Sequence, residues 1–379
     1  MKRILLAVAT LLSAALPAQA AIPDPPVIQA TSYALFDFDS GSMLVANNPD
    51  ARVEPASITK VLTVYVVFDE IAKGRLKLDD EAVISEKAWK QGIDSSESRM
   101  FLDVGSRVKI IDLLHGVITQ SGNDASVALA EHVAGSETAF ADLMNQYAAK
   151  LGMKDSHFAN AAGLPDPAHY TTAHDLMLLS QALIRNFPEQ YKWFSLPDFT
   201  YHGIKQDNRN MMLAMDRTVD GIKTGHTEAA GYCMLSSSLR DGHRLIAAVM
   251  GTESKKYRAE ASLELLNYGY RFFESVKLLG ADKPSGTARV WKGAADEVQV
   301  GTLEPLFLSL PRGAAQQVLT KPEITGMLVA PLSPGQVVGT VSISLDGKLV
   351  KSAPLVVLHA VEAGSWWKRL VDTIRLWFA

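Results

Sequence analysis

The chain has 379 residues, 47% of them apolar and 21% charged, with a formal net charge of −4. That length and composition can bury a sizeable core, which excludes overall disorder and makes two domains the natural expectation. The slight acidic balance, with no basic motif, excludes nucleic acid as a partner.

Lys2 and Arg3 precede the apolar run 4–16, and Ala18-Gln19-Ala20 has the small-x-small form of a signal-peptidase site. The run is shorter than the ~20 residues a spanning helix needs. Residues 1–20 are therefore predicted to be an export signal, with the mature chain starting at Ala21. After it, "SYALFDFDSGSMLVANN" alternates apolar and polar residues around Asp39-Ser40-Gly41 and reads as a hairpin. "SITKVLTVYVVFDEIAKG" then places Val61, Leu62, Tyr65, Phe68 and Ile71 at helical spacing and stops at Gly74, with Ser57 at the helix start. From about 80 to 190 the pattern is mainly helical.

Beyond that block, "VDGIKTGHT", "GYCMLSSSLR" and "HRLIAAVMG" read as three antiparallel strands, the last two joined at Asp241-Gly242. The helix "AEASLELLNYGYRFFESV" is expected to pack its Leu, Tyr and Phe stripe on that sheet. Cys233, the sole cysteine, leaves no intramolecular disulfide possible, and its apolar strand setting reads as a buried inert thiol rather than a nucleophile. The expected fold class is α/β: an antiparallel sheet with flanking helices and a helical subdomain over 21–280, then a small all-β domain over 281–361. Residues 362–379 form a C-terminal amphipathic helix, with Trp367, Leu370, Val371, Ile374, Trp377 and Phe378 on one face and Lys368, Arg369, Asp372 and Arg375 on the other. Tryptophan at both ends and cations between suit a bilayer surface, so the helix is expected to hold the protein on a membrane.

Three short motifs carry the chemistry. In "PASITK", Ser57 and Lys60 are three apart and share a helix face. Serine is a poor nucleophile until a base takes its proton, and lysine can serve if its pKa falls from the usual ~10.4. A helix N-terminus and a second cation push it down, and Lys223 of "KTG" is the candidate second cation. "QSGND" supplies Ser121 and Asn123 at the start of another helix. Each motif alone is weak, but all three in this order are specific.

With these stretches the chain resembles the serine penicillin-binding proteins, and among them the low-molecular-mass D-alanyl-D-alanine carboxypeptidases, which have a β-lactamase/transpeptidase-like fold. The likeness extends to "LGMKDSHFANAAGL", "YGYRFFE" and "QVVGTVSISLDGK" and covers about residue 30 to the C-terminus. It implies that Ser57 attacks the carbonyl of the penultimate D-Ala of a peptidoglycan stem peptide, that Lys60 takes its proton, and that β-lactams acylate the same serine. It further implies that Ser121 relays a proton to the departing D-Ala, that Asn123 bonds the peptide, and that Lys223 keeps the site positive. Thr224 and Gly225 would lie beside the extended substrate, Gly225 allowing close backbone approach, with the backbone N–H groups of Ser57 and His226 as the oxyanion hole. Arg258 is expected to clamp the substrate's terminal carboxylate, supported by Arg209; the alternative for each is a surface salt bridge, with Glu260 or Asp207.

A periplasmic carboxypeptidase on the inner membrane is the expectation, with an endopeptidase cutting cross-links or a silent wall-binding scaffold as alternatives. A β-lactamase is disfavoured because the middle motif reads SGN and no Glu-x-x-x-Asn lies between Asn123 and Asn210. Nothing asks for a cofactor or a metal: there is no HExxH, and His169 and His174 in "HYTTAH" read as surface residues rather than a zinc pair.

Overall fold

The computed structural model describes residues 22–91 and 98–378. The expected export signal at 1–20 lies outside them. A five-stranded antiparallel sheet forms the centre of the first domain, in the order Met43–Asn47, Ser32–Asp37, His243–Thr252, Gly231–Arg240, Val219–Thr227. The expected hairpins are present, and Asp241 and Gly242 both adopt the positive φ that a tight hairpin turn demands. Both faces of the sheet are covered, and its central strand His243–Thr252 accordingly carries the unbroken, fully buried apolar run Leu245 to Met250. Ala34, Phe36, Cys233 and Leu235 point into the core shared with the helical subdomain. Their neighbours Tyr33, Leu35 and Met234 point the other way, onto the helix Lys255–Phe272.

The helical subdomain is built on Lys60–Ala72, whose valines, Leu62 and Phe68 are buried almost all round. Around it lie Asn123–Ala134, Glu137–Lys150 and Ala173–Asn186, the last two N-capped by Ser136 and Thr172. Gly74 has φ +73 and ends the first helix as its position suggested.

The helix Lys255–Phe272 is shorter than its Leu/Tyr/Phe stripe implied. Residues Phe273–Leu279 form a strand paired with Leu306–Pro311, with Val276 and Leu278 packed in a core of the second domain. No glycine or proline separates helix from strand, so the periodicity changes without a turn signal, and the expected boundary at 281 moves back to Phe273. The rest of this domain is a six-stranded sheet that includes Val337–Leu345 and Lys348–Val357. Lys351 reaches out of it to the first domain, donating to the carbonyls of Ser40 (3.0 Å) and of its own domain's Phe307 (3.1 Å).

The C-terminal helix is Trp366–Leu376, N-capped by Ser365. Its polar side is the docked one. Asp372 is buried and accepts the Lys292 backbone N–H at 2.7 Å, and Lys368 pairs with both Asp296 and Asp372. Trp366, Trp367, Leu370, Val371, Ile374, Trp377 and Phe378 face outward, the last two 79% and 86% exposed. Among the described residues no helix is long and apolar enough to cross a membrane.

Candidate active site

Ser57 lies on a single 3-10 turn, Ala56–Thr59, that leads into the helix Lys60–Ala72. Three residues per turn eclipse positions i and i+3, so Lys60 falls directly beside Ser57. Lys60 Nζ is 2.9 Å from Ser57 Oγ, 2.7 Å from Asn123 Oδ1 and 2.5 Å from the carbonyl of Ala162. Residue Ala56, just before the serine, has φ +47, and Ser121 has φ +70. Non-glycine residues seldom adopt such angles, so the surrounding packing must hold both of these in place. Ser121 Oγ is buried with no hydrogen-bond partner among the described residues, and Asn123 opens the helix Asn123–Ala134 as expected.

The strand Val219–Thr227 runs along the edge of the sheet and borders the same cleft. Ser57, Ser121, Asn123, Thr224, Gly225 and His226 line this cleft of about 820 Å³ together with Arg209 and Arg258. Lys60 and Lys223 are buried behind it. The close approach that Gly225 permits is to the turn bearing Ser57, for a Cβ there would lie 2.8 Å from the Pro55 carbonyl and 3.2 Å from Ala56. The glycine therefore docks the strand against Ser57, a tertiary reason that the expectation of substrate approach did not include. His226 stacks flat on Tyr232 at 3.9 Å.

Positive charge dominates. Lys223 Nζ donates to the carbonyl of Thr224 at 3.1 Å, and burial, then Lys60, Arg209 and Arg258, push its pKa well below the usual lysine range. Burial alone lowers Arg209, whose Nε donates to the carbonyl of Gln120 at 3.0 Å. Burial brings Arg258 down to about 10. Its Nη1 donates to the Gly225 carbonyl at 2.9 Å while its Nε is buried without a partner among the described residues. Neither arginine makes a salt bridge among the described residues, and Glu260 pairs instead with Lys256. Such a site attracts an anion.

The chain matches the family of peptidase S11, D-alanyl-D-alanine carboxypeptidase, over residues 19–254, and the penicillin-binding protein 5 C-terminal domain over residues 273–363. It belongs to the peptidase S11 family. The D-alanyl-D-alanine carboxypeptidase DacA of Escherichia coli (strain K12) is 42% identical over 365 residues, covering 94% of this chain and 90% of that one. The crystal structure of penicillin-binding protein 5 from Haemophilus influenzae superposes with a TM-score of 0.85 at 41% identity, covering 90% of this chain and 99% of the other. Penicillin-binding protein D2 from Listeria monocytogenes, solved in the ampicillin-bound form, has a TM-score of 0.59 at 27% identity, covering 65% of this chain and all of its own.

Within this S11 site several contacts escape sequence reading. The Ala162 carbonyl that holds Lys60 has no side-chain signature. Asp124 is buried and accepts the backbone N–H groups of Met100 (2.8 Å) and Leu102 (3.3 Å), which fixes the loop carrying the cleft residue Ser98. His169 is not a surface residue: it is 3% exposed and its Nε2 lies 2.8 Å from Thr59 Oγ1, whereas His174 is exposed and bonds Asp50. The apolar residues around "HYTTAH" bury one histidine of the pair and leave the other in solvent. Cys233 is buried as expected, its thiol pushed up to about 11 by burial.

Proposed function

We propose that this hydrolase is a serine-type D-Ala-D-Ala carboxypeptidase that removes the terminal D-alanine from peptidoglycan pentapeptide stems through an acyl-enzyme on Ser57. The observation that carries the reading is the 2.9 Å contact of Ser57 Oγ with Lys60 Nζ at the wall of a cation-lined cleft. A neutral Lys60 amine has two hydrogens for Asn123 Oδ1 and the Ala162 carbonyl, which turns its lone pair to the Ser57 proton. Ser57 Oγ then adds to the penultimate D-Ala carbonyl, with the N–H groups of Ser57 and His226 receiving the oxyanion. The C–N bond breaks and the departing D-Ala nitrogen takes the proton, relayed from Lys60 by Ser121 Oγ. Water hydrolyses the ester, freeing Ser57 and a shortened stem ending in a carboxylate.

Arg258, aided by Arg209, receives the carboxylate of the terminal D-Ala, and Lys223 keeps the pocket positive. That requirement for a free carboxylate, with relatives named as carboxypeptidases, favours this activity over the endopeptidase and scaffold alternatives. Penicillins present a strained amide and a carboxylate to the same groups and acylate Ser57. The N-terminal signal pattern supports export to the periplasm, and the outward apolar face of Trp366–Leu376 supports attachment to the outer leaflet of the inner membrane. Fluorescent penicillin and a pentapeptide substrate test the reading together. Wild type should be labelled and release D-Ala; Ser57→Ala should do neither, and equal labelling of the two proteins would refute the assignment.

A further inference from the structure

We propose that His169 is a positioning residue for acylation, joining the turn that carries Ser57 to the loop whose carbonyl aims Lys60. The proposal rests on Ser57 acylation as read above. Nδ1 of His169 receives the backbone N–H of Ala159 at 3.2 Å. An N–H can only donate, so Nδ1 carries the lone pair, and the ring proton is on Nε2. That proton is donated to Thr59 Oγ1, 2.8 Å away. Burial lowers the imidazole to about 4, which keeps this tautomer neutral at physiological pH. Phe158 packs edge-on against the ring at 5.5 Å and fixes its plane.

Thr59 belongs to the 3-10 turn of Ser57 and immediately precedes Lys60. Ala159 begins the loop that ends at Leu164, which Asn160 Oδ1 gathers by accepting the N–H groups of Ala162 (3.2 Å), Gly163 (2.7 Å) and Leu164 (3.0 Å). Three links run from this loop to the first helix and its leading turn: Lys60 to the Ala162 carbonyl, Thr63 to the Ala161 carbonyl at 2.7 Å, and the His169 bridge to Thr59. Gly163, at φ +81, packs so closely on the turn that a Cβ would lie 1.8 Å from the Ala56 carbonyl. His169 binds both the backbone of this loop, at Ala159, and a side chain of the turn, at Thr59, and so sets the span across which Lys60 must reach from the Ala162 carbonyl to Ser57. Its loss would let the Ala162 carbonyl drift relative to Ser57 and leave the Lys60 lone pair less well aimed. Displacements of this kind slow chemistry without weakening initial binding.

The test is stopped-flow acylation of the full chain by fluorescent penicillin, separating the initial binding constant from the acylation rate constant, with melting temperatures of every variant. His169→Ala should lower the acylation rate constant on the order of 10- to 100-fold with initial binding little changed. His169→Gln should restore most of the rate, because its amide oxygen can accept from Ala159 and its amide N–H₂ can donate to Thr59. Thr59→Val should cost a similar factor alone and add little to His169→Ala. Wild-type acylation by folded His169→Ala would overturn the proposal. So would a glutamine variant as slow as the alanine one, or a loss confined to initial binding or to stability. Absence of acylation in the wild type would instead refute the reading of Ser57, so the two failures are distinct.

Discussion

Arg258 is fastened to Gly225: its Nη1 donates to the glycine carbonyl at 2.9 Å, on the strand that borders Ser57, while its Nε is buried with no partner among the described residues. The arginine therefore steadies that strand while its side chain lines the cleft. Arg258→Ala should impair D-Ala release from a pentapeptide by about 1.5 to 3 kcal/mol of transition-state stabilisation, the scale of a hydrogen bond to a charged group. Arg258→Lys should fall between, since an ammonium keeps the charge and loses the planar fork. Steady-state kinetics on pentapeptide decides this, and an alanine variant with unchanged kcat/KM rules out the clamp.

Lys223 is a buried cation among cations, and its depressed pKa means that folding opposes its charge. Lys223→Met should raise the melting temperature by a few degrees at neutral pH while penicillin acylation falls sharply. Calorimetry alongside labelling checks both halves. A lower melting temperature would show that the Thr224 carbonyl contact outweighs the repulsion.

The histidine at 169 also predicts a pH dependence of stability. Its folded pKa, about 4, lies below the ordinary value near 6.5, so as pH falls the unfolded chain takes up the proton first. Stability should decline between about pH 6.5 and pH 4 by up to about 3 kcal/mol, then lose this contribution to the slope below pH 4. His115, lowered by burial, acts in the same direction. Urea titrations over this range should show a steeper acid loss for wild type than for His169→Gln; parallel curves would contradict the assignment of a neutral buried ring.

The C-terminal helix offers a fourth prediction. Asp372→Ala should increase hydrogen exchange across 365–377 in solution, because it removes the acceptor of the Lys292 N–H and one partner of Lys368. Co-sedimentation with anionic vesicles should persist, since the outward apolar face is untouched, whereas deletion of 362–379 should abolish it. Vesicle binding by the truncated protein would place the attachment elsewhere.

Sequence reading found what is local. Ser57 and Lys60 were legible because three residues separate them and a helical turn converts that spacing into contact. The strand with Lys223, the helix opening at Asn123 and the outward stripe of the last helix were legible for the same reason, each being a periodic pattern. Contacts across long stretches of chain were not. The Ala162 carbonyl meets Lys60 from 102 residues away and is a backbone group, invisible in a string of side chains. His169 was misread because burial is a property of the packed subdomain and not of "HYTTAH". The helix end at Phe272 was overrun because the apolar pattern continued unbroken into a strand.

The docking of Asp372 against Lys292 makes the last helix a foot rather than a leash. A flexible tail would let the catalytic cleft sweep a hemisphere of radius equal to its own length. A helix seated by its polar side turns with the small β domain, and Lys351 in turn ties that domain to Ser40. Standing on a bilayer as proposed, the enzyme would hold its cleft at one altitude and one heading, like a gantry. Stem peptides within that layer would be trimmed, and those above or below would be reached only as the wall itself moves past.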